Sequence, residues 1–392
     1  MKLARAALGA AVALTACRGI IGYKSIALDV DAARDGMAGD AACTTAPSVL
    51  FTTDKVLTTV FAGAGYVYAQ IGLPTAITPP DGAIGDSISN SGLVGCPLTG
   101  CGGTPGVVKD VTTIVDAAVW GSAAAGDAGL AYTLASELLD GGAAEAGAGG
   151  VFVASGSGGN ASVVGSHLDY PYLVTLQGGN VYWTNDPSIV SGSAAPWSVV
   201  ASPIASPQQT TLMHGFTGNG YSTSTTALFA DATNVYVVAV DGNGMTGLFL
   251  CPVLQPAGGG CHGRPVELLS TQTEDSFATD GKDIYQAVNA SPGGTIVRYD
   301  IVTHAPTTLA TNLVSPSNIA VDAVNVYWSP AMGGVIYYLP KDGSTGASLL
   351  VCGLTNISGI AAQAGRVYFA ATDTENGSRW EVASVPAPTA GS

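Results

Sequence analysis

Apolar and polar residues alternate in short runs along this chain, and one arrangement keeps returning. A β-branched residue is followed by an aromatic, usually after a turn: Val67-Tyr68, Val119-Trp120, Val181-Tyr182-Trp183, Val235-Tyr236, Ile284-Tyr285, Val326-Tyr327-Trp328 and Val367-Tyr368-Phe369. The first aromatics stand 52, 62, 54, 49, 42 and 41 residues apart, the mark of an internal repeat. The approach repeats too. Ala230-Asp231-Ala232-Thr233-Asn234 leads into Val235 as Val321-Asp322-Ala323-Val324-Asn325 leads into Val326 and Thr279-Asp280-Gly281-Lys282-Asp283 into Ile284, so an Asp-x-x-Asn/Asp hairpin is expected between two strands. Read by alternation, residues 314–353 hold four strands, around Asn318-Ile319, Val326-Tyr327, Ile336-Tyr337 and Leu349-Leu350, with Gly, Pro or Asp between them.

Four antiparallel strands in one repeat describe a propeller blade. One such sheet cannot bury both faces, whereas copies stacked around an axis bury the Val and aromatic positions between neighbours. The chain resembles the β-propeller repeats that carry a Tyr-Trp-Thr-Asp box, and more closely the exported propellers of predatory soil bacteria with Asn-Val-Tyr-Trp and Cys-Pro-x-x-Gly-Cys turns. Only Tyr182-Trp183-Thr184-Asn185 approaches the full box, and Asn185 replaces its Asp. The expectation is an all-β fold: a seven-bladed β-propeller of four-stranded antiparallel blades, or six blades if Val119-Trp120 is no anchor. The last unit, ending near Trp380-Glu381-Val382, lacks an outer strand, and Ser48-Val49-Leu50-Phe51-Thr52 has no blade of its own. Pairing the two would complete the last blade and remove an exposed edge.

The first residues read as an address. Lys2 and Arg5 precede the apolar stretch Ala6 to Ala13, and Leu14-Thr15-Ala16-Cys17 resembles the lipobox of bacterial lipoproteins, which implies acylation at Cys17. The division expected is a lipoprotein signal peptide at 1–17, a flexible tether at 18–46, the propeller at 47–386 and a C-terminal tail at 387–392. Arg18 after the cysteine, where an Asp would resemble an inner-membrane retention signal, points to an exported protein of the bacterial outer membrane. With Cys17 spent on lipid, the seven cysteines leave an even set, which suits disulfides in an oxidising compartment. Turn context suggests Cys96 with Cys101 and Cys251 with Cys261, and ring closure would bring Cys43 near Cys352. Zinc is a poor alternative, since only His262 lies beside such a pair.

Charge narrows the chemistry. Thirteen Lys and Arg against 28 Asp and Glu give a net charge of −15, which excludes a phosphate-binding surface and hence nucleic acid. His167, His214, His262 and His304 are scattered and fit no protease or hydrolase motif. Asp231, Asp280 and Asp322 recur at equivalent sites, the pattern of an Asp that caps its own hairpin. Asp241-Gly242-Asn243-Gly244 starts like a calcium loop but lacks the later carboxylates. No cofactor or metal is expected. The recurring tyrosines are assigned to the core by their fixed register, which leaves Trp197, Tyr221, His214 and Tyr170, outside that register, as candidates for recognition loops. The function expected is a lipid-anchored, monomeric cell-envelope scaffold that binds a protein or glycan. The alternative is an exported hydrolase or lyase with its acid and base at the mouth of the axial channel.

Overall fold

The computed structural model describes residues 46–54, 56–71, 92–101, 106–110, 119–126, 128–136, 149–155, 161–186, 197–214, 225–240, 246–253, 266–271, 275–289, 293–331, 333–372 and 379–389. Contacts divide the chain into Met1–Asp40 and Ala41–Ser392, and every described residue belongs to the second unit. Among the described residues the 28 regular elements are all strands.

The chain opens with β1 (Ser48–Thr53), followed by blade 1: β2 (Leu57–Gly63), β3 (Tyr66–Ile71), β4 (Gly92–Pro97) and β5 (Gly106–Asp110). Blade 2 is β6 (Val119–Gly126), β7 (Gly129–Ser136), β8 (Gly149–Ala154) and β9 (Ser162–Leu168). Blade 3 is β10 (Pro171–Gln177), β11 (Asn180–Asn185), β12 (Ser198–Pro203) and β13 (Thr210–His214). Blade 4 is β14 (Thr225–Ala230), β15 (Asn234–Val240), β16 (Thr246–Pro252) and β17 (Val266–Thr271). Blade 5 is β18 (Ser276–Thr279), β19 (Asp283–Val288), β20 (Gly294–Asp300) and β21 (Pro306–Leu313). Blade 6 is β22 (Pro316–Val321), β23 (Asn325–Pro330), β24 (Ile336–Pro340) and β25 (Ser348–Val351). Blade 7 is β26 (Thr355–Gln363), β27 (Arg366–Thr372) and β28 (Trp380–Pro386), with β1 as its fourth strand.

The first strands of the blades touch one another in sequence, β2, β6, β10, β14, β18, β22 and β26, and β26 returns to β2. These seven therefore form the inner ring, and the sheets circle one axis. β1 lies antiparallel to β28, from Ser48 opposite Ser384 to Thr53 opposite Trp380. Leu50 and Phe51 are buried there, and the Arg379 guanidinium donates to Thr52 Oγ1 at 2.7 Å.

Seven apolar clusters fill the seven interfaces between blades, and strand periodicity explains how one dipeptide serves two of them. Adjacent residues on a strand point to opposite faces. Val235 accordingly packs with blade 3, alongside Tyr182 and Val199, while Tyr236 packs with blade 5, alongside Ile284. Val326 likewise faces blade 5 and Tyr327 faces blade 7. Val67 faces blade 7 and Tyr68 faces blade 2. Each Val-aromatic pair is thus glue for two neighbours, and all of these side chains are 0–1% exposed.

Blade 2 departs from the expected anchor. Val119 and Trp120 lie on β6, an inner strand, whereas the pairs of the other blades lie on second strands. The equivalent position on β7 is Leu130-Ala131: Gly129 pairs with Gly126 across the turn as Tyr66 pairs with Gly63 in blade 1. Ala131 stands in the aromatic slot, so the repeat is silent there in sequence. The expected count of seven holds because another pair happened to fall in the same blade.

Candidate functional site

Neighbouring strands in a meander run in opposite directions, so alternate connections fall on opposite faces of the ring. The turns between first and second strands and between third and fourth strands share one side, here the hairpin face. The remaining connections share the other, the loop face. The longest stretches between a second and a third strand, 72–91, 137–148 and 186–197, join strand ends on the loop face in blades 1 to 3. Their equivalents in blades 4 to 6, such as 289–293 and 331–335, are short.

The hairpin face is built for closure. In blade 4, Asp231 Oδ1 accepts the amides of Thr233 (2.7 Å) and Asn234 (2.8 Å), and the Tyr236 hydroxyl donates to Oδ2 at 2.6 Å. In blade 6, Asp322 takes the amides of Val324 and Asn325, both at 2.7 Å, and the Tyr327 hydroxyl at 2.6 Å. In blade 5, Asp280 takes the amides of Lys282 and Asp283 and the Tyr285 hydroxyl at 3.2 Å. The repeated aspartates are therefore hairpin caps that also seat the core tyrosines, as the Asx-turn reading anticipated. Burial first, then the Asp231 partner, pushes the Tyr236 phenol above its ordinary range. Blades 1, 3 and 7 turn instead through left-handed pairs, Ala64-Gly65, Gly178-Gly179 and Ala364-Gly365, a geometry that closes a two-residue loop without a side-chain cap.

One clamp crosses between blades. Lys341 Nζ lies 2.6 Å from Asp280 Oδ2 and 5.3 Å from the centre of the Tyr285 ring, while Arg298 donates to the Lys341 carbonyl at 2.9 Å. Burial disfavours the Asp280 carboxylate, but the Lys341 hydrogen bond, the two turn amides and the Lys341 charge outweigh it and hold the group below its ordinary value.

The axial wall is of another kind. None of the seven inner strands, LTTVFAG, VWGSAAAG, PYLVTLQ, TTALFA, SFAT, PSNIAV and TNISGIAAQ, carries Asp, Glu, Lys, Arg or His. Six of them shift register, most near the loop face, for example between Pro171 and Val174 and between Ser317 and Ala320. Buried hydroxyls from second strands serve the irregular backbone and side chains there: Ser122 N donates to Thr133 Oγ1 (2.9 Å), Leu173 N to Thr184 Oγ1 (3.1 Å), and Asn318 Nδ2 to Ser329 Oγ (3.1 Å). Thr133, Thr184 and Ser329 occupy the same place in their blades, two residues beyond the aromatic slot.

Asp186 and Asp275, beside the inner ring, each accept from one backbone amide and one side chain. Buried Asp186 Oδ2 accepts from Thr225 N (2.7 Å) and Thr225 Oγ1 (3.0 Å), tying blade 3 to blade 4. Asp275 accepts from Gln286 Nε2 (2.6 Å) and Asn289 N (3.0 Å). His167 and His214 lie on β9 and β13, the fourth strands of blades 2 and 3, and His304 sits in a turn of blade 5 with its amide on Asp300 O. Among the described residues no group of three His, Cys, Asp or Glu could hold a metal.

The recognition candidates fare differently. Trp197 is 1% exposed, packed among Leu212, Met213, Val235 and Phe249, its ring 6.3 Å from that of Phe249. It belongs to the core between blades 3 and 4, and the expectation of a surface role for it is corrected: a ring this large just before β12 is covered by the next blade, which a sequence window cannot reveal. His214 is exposed at the end of β13. Tyr170 is half-buried with φ 53°, on the connection into blade 3, and its carbonyl accepts from Asp186 N at 2.9 Å. Tyr221 and His262 lie outside the described residues. Cys96 and Cys101 form a disulfide with Cα atoms 5.5 Å apart. Cys251 and Cys352 are also disulfide-bonded; Cys261 and Cys43, expected as their partners, lie outside the described residues, as does Cys17.

No protein-family model matches the chain, and no curated protein matches it. Among solved structures it is similar to a puromycin hydrolase, with TM-score 0.58 and 12% identity over 84% of this chain and 52% of that one. It is similar to a prolyl endopeptidase (0.56, 14%, 86% and 47%) and to virginiamycin B lyase from Staphylococcus aureus (0.51, 10%, 87% and 98%). The likeness is one of fold. The chain spans about half the length of the two hydrolases.

Proposed function

We propose that the protein is a non-enzymatic binding propeller of the cell envelope, lipid-anchored through Cys17, which offers its loop face to a protein or glycan ligand. The observation that carries this reading is the axial wall. Acid-base chemistry needs titratable groups that converge on a reacting atom, and the inner strands supply only hydroxyls, amides and apolar side chains. The nearby carboxylates of Asp186 and Asp275 hold backbone amides. Rigid blades whose connections between second and third strands are long in blades 1 to 3 suit recognition, because loops on such a scaffold vary without unfolding it.

Two experiments test the reading. Palmitate labelling of the full chain is expected to disappear in Cys17→Ala, and labelling that persists refutes the anchor. The lipid-free chain applied to an envelope pull-down and a glycan array is expected to retain a ligand that His214→Ala or Tyr170→Ala weakens. The second reading, an exported hydrolase or lyase, draws on the full-length likeness to virginiamycin B lyase, whose structure was solved with quinupristin. Turnover of quinupristin, or of a panel of ester and peptide substrates, would favour it over display.

A further inference from the structure

We propose that residues 387–389 form a strap that fastens blade 7 to blade 6 on the hairpin face, in place of the cap that blade 7 lacks. The missing cap is visible residue by residue. Blades 4, 5 and 6 place Asp231, Asp280 and Asp322 five residues before a core tyrosine and bond its hydroxyl. Blade 7 has Gln363 at that place before Tyr368, and both Gln363 Oε1 and the Tyr368 hydroxyl are buried without a hydrogen-bond partner. Tyr368 is fully buried. The closing blade thus lacks the aspartate cap of blade 6, where the ring depends on strands from both ends of the chain.

The segment after β28 compensates. Pro386 and Pro388 bias it to an extended, stiff conformation, so little entropy is lost when it docks. Ala387 N donates to Gly365 O at 2.9 Å, the bond that Leu98 N makes to Gly65 O in blade 1 and Lys341 N to Val324 O in blade 6, and it sets the segment beside the blade 7 hairpin. One residue on, the Pro388 carbonyl accepts from Asn325 Nδ2 of blade 6 at 2.8 Å. Asn325 is 2% exposed, and its amide nitrogen also reaches the Tyr327 hydroxyl at 3.2 Å. The strap is therefore bonded into the Asp322-Asn325-Tyr327 cap, and Ala387 packs on the apolar cluster between the two blades. In blade 4 the matching Asn234 spends the same group inside its own blade, on Thr233 Oγ1 (3.0 Å) and Tyr236 (3.3 Å).

Hydrogen exchange read by mass spectrometry separates a local strap from general stability. Two variants are needed: a chain ending at Pro386, and full-length Asn325→Asp, which blade 5 shows to be compatible with the turn because Asp283 occupies that position. Both are expected to speed exchange roughly tenfold or more in the hairpins spanning 320–327 and 361–368, with 230–236 of blade 4 unchanged, as for a locally opening unit. Wild-type exchange in both hairpins, or equal acceleration in blade 4, overturns the strap.

Discussion

The aspartate caps show how much a single side chain carries here. Asp322 satisfies two turn amides and a buried phenol. Removing it strands the Tyr327 hydroxyl in the cluster between blades 6 and 7, and an unsatisfied buried donor costs about 1–3 kcal/mol. Asp322→Ala is expected to lower stability by that amount in chemical denaturation, with Tyr327→Phe in the same chain relieving part of the loss; an unchanged midpoint refutes the cap. Asp280 gives a pH signature. Its folded value lies below the ordinary 3.8, so the contribution of the Lys341 clamp is full above that range and is lost as pH falls through the depressed folded value. Titration of Asp280 by NMR is expected to move upward in Lys341→Met, and a fixed midpoint would remove the clamp from the account. The capping role was legible in sequence because the three aspartates recur at one offset from a turn. The tyrosine hydroxyl as second partner was not, since an Asp-x-x-x-x-Tyr spacing joins two strands whose separation only the fold supplies.

At the scale of the element, the second strands were readable wherever an apolar pair fills both faces, and unreadable where one slot is small. Ala131 hides the anchor of blade 2, and Trp197 misleads in the other direction, a core ring placed just outside a strand. Small residues matter most between inner strands. A Cβ on Gly359 of β26 would lie 2.6 Å from the Val60 amide nitrogen of β2, which is backbone and cannot swing aside. Gly359→Val is therefore expected to force blades 7 and 1 apart and to cost about 1–3 kcal/mol or more, read as a lower Tm. Gly65→Ala is the companion, since its φ of 81° strains any side chain though no atom lies within 4 Å. A larger loss at Gly65 than at Gly359 would contradict the close approach of the inner strands.

For the whole molecule, the ring is closed by a strand from the far end of the sequence, and this topology makes a test of its own. Without β1, the edge of β28 would offer unpaired amides and carbonyls, and the side chains that Leu50 and Phe51 now cover, Val382 and Tyr368 among them, would meet water. A chain beginning after Thr53 is expected to associate through that edge, eluting ahead of the full-length protein in size-exclusion chromatography and melting at lower temperature. A synthetic peptide of residues 46–54 should bind it and return it to the full-length elution position, because a register shift between Val49 and Phe51 lets the adjacent Leu50 and Phe51 enter the same apolar cluster and so fixes the pairing from Ser48–Ser384 to Thr53–Trp380. The same peptide with Phe51→Lys places a charge where the ring is fully buried, and should fail. A truncated chain that elutes and melts like the full-length protein would mean that three strands suffice for blade 7, and that β1 covers an edge the ring does not need covered.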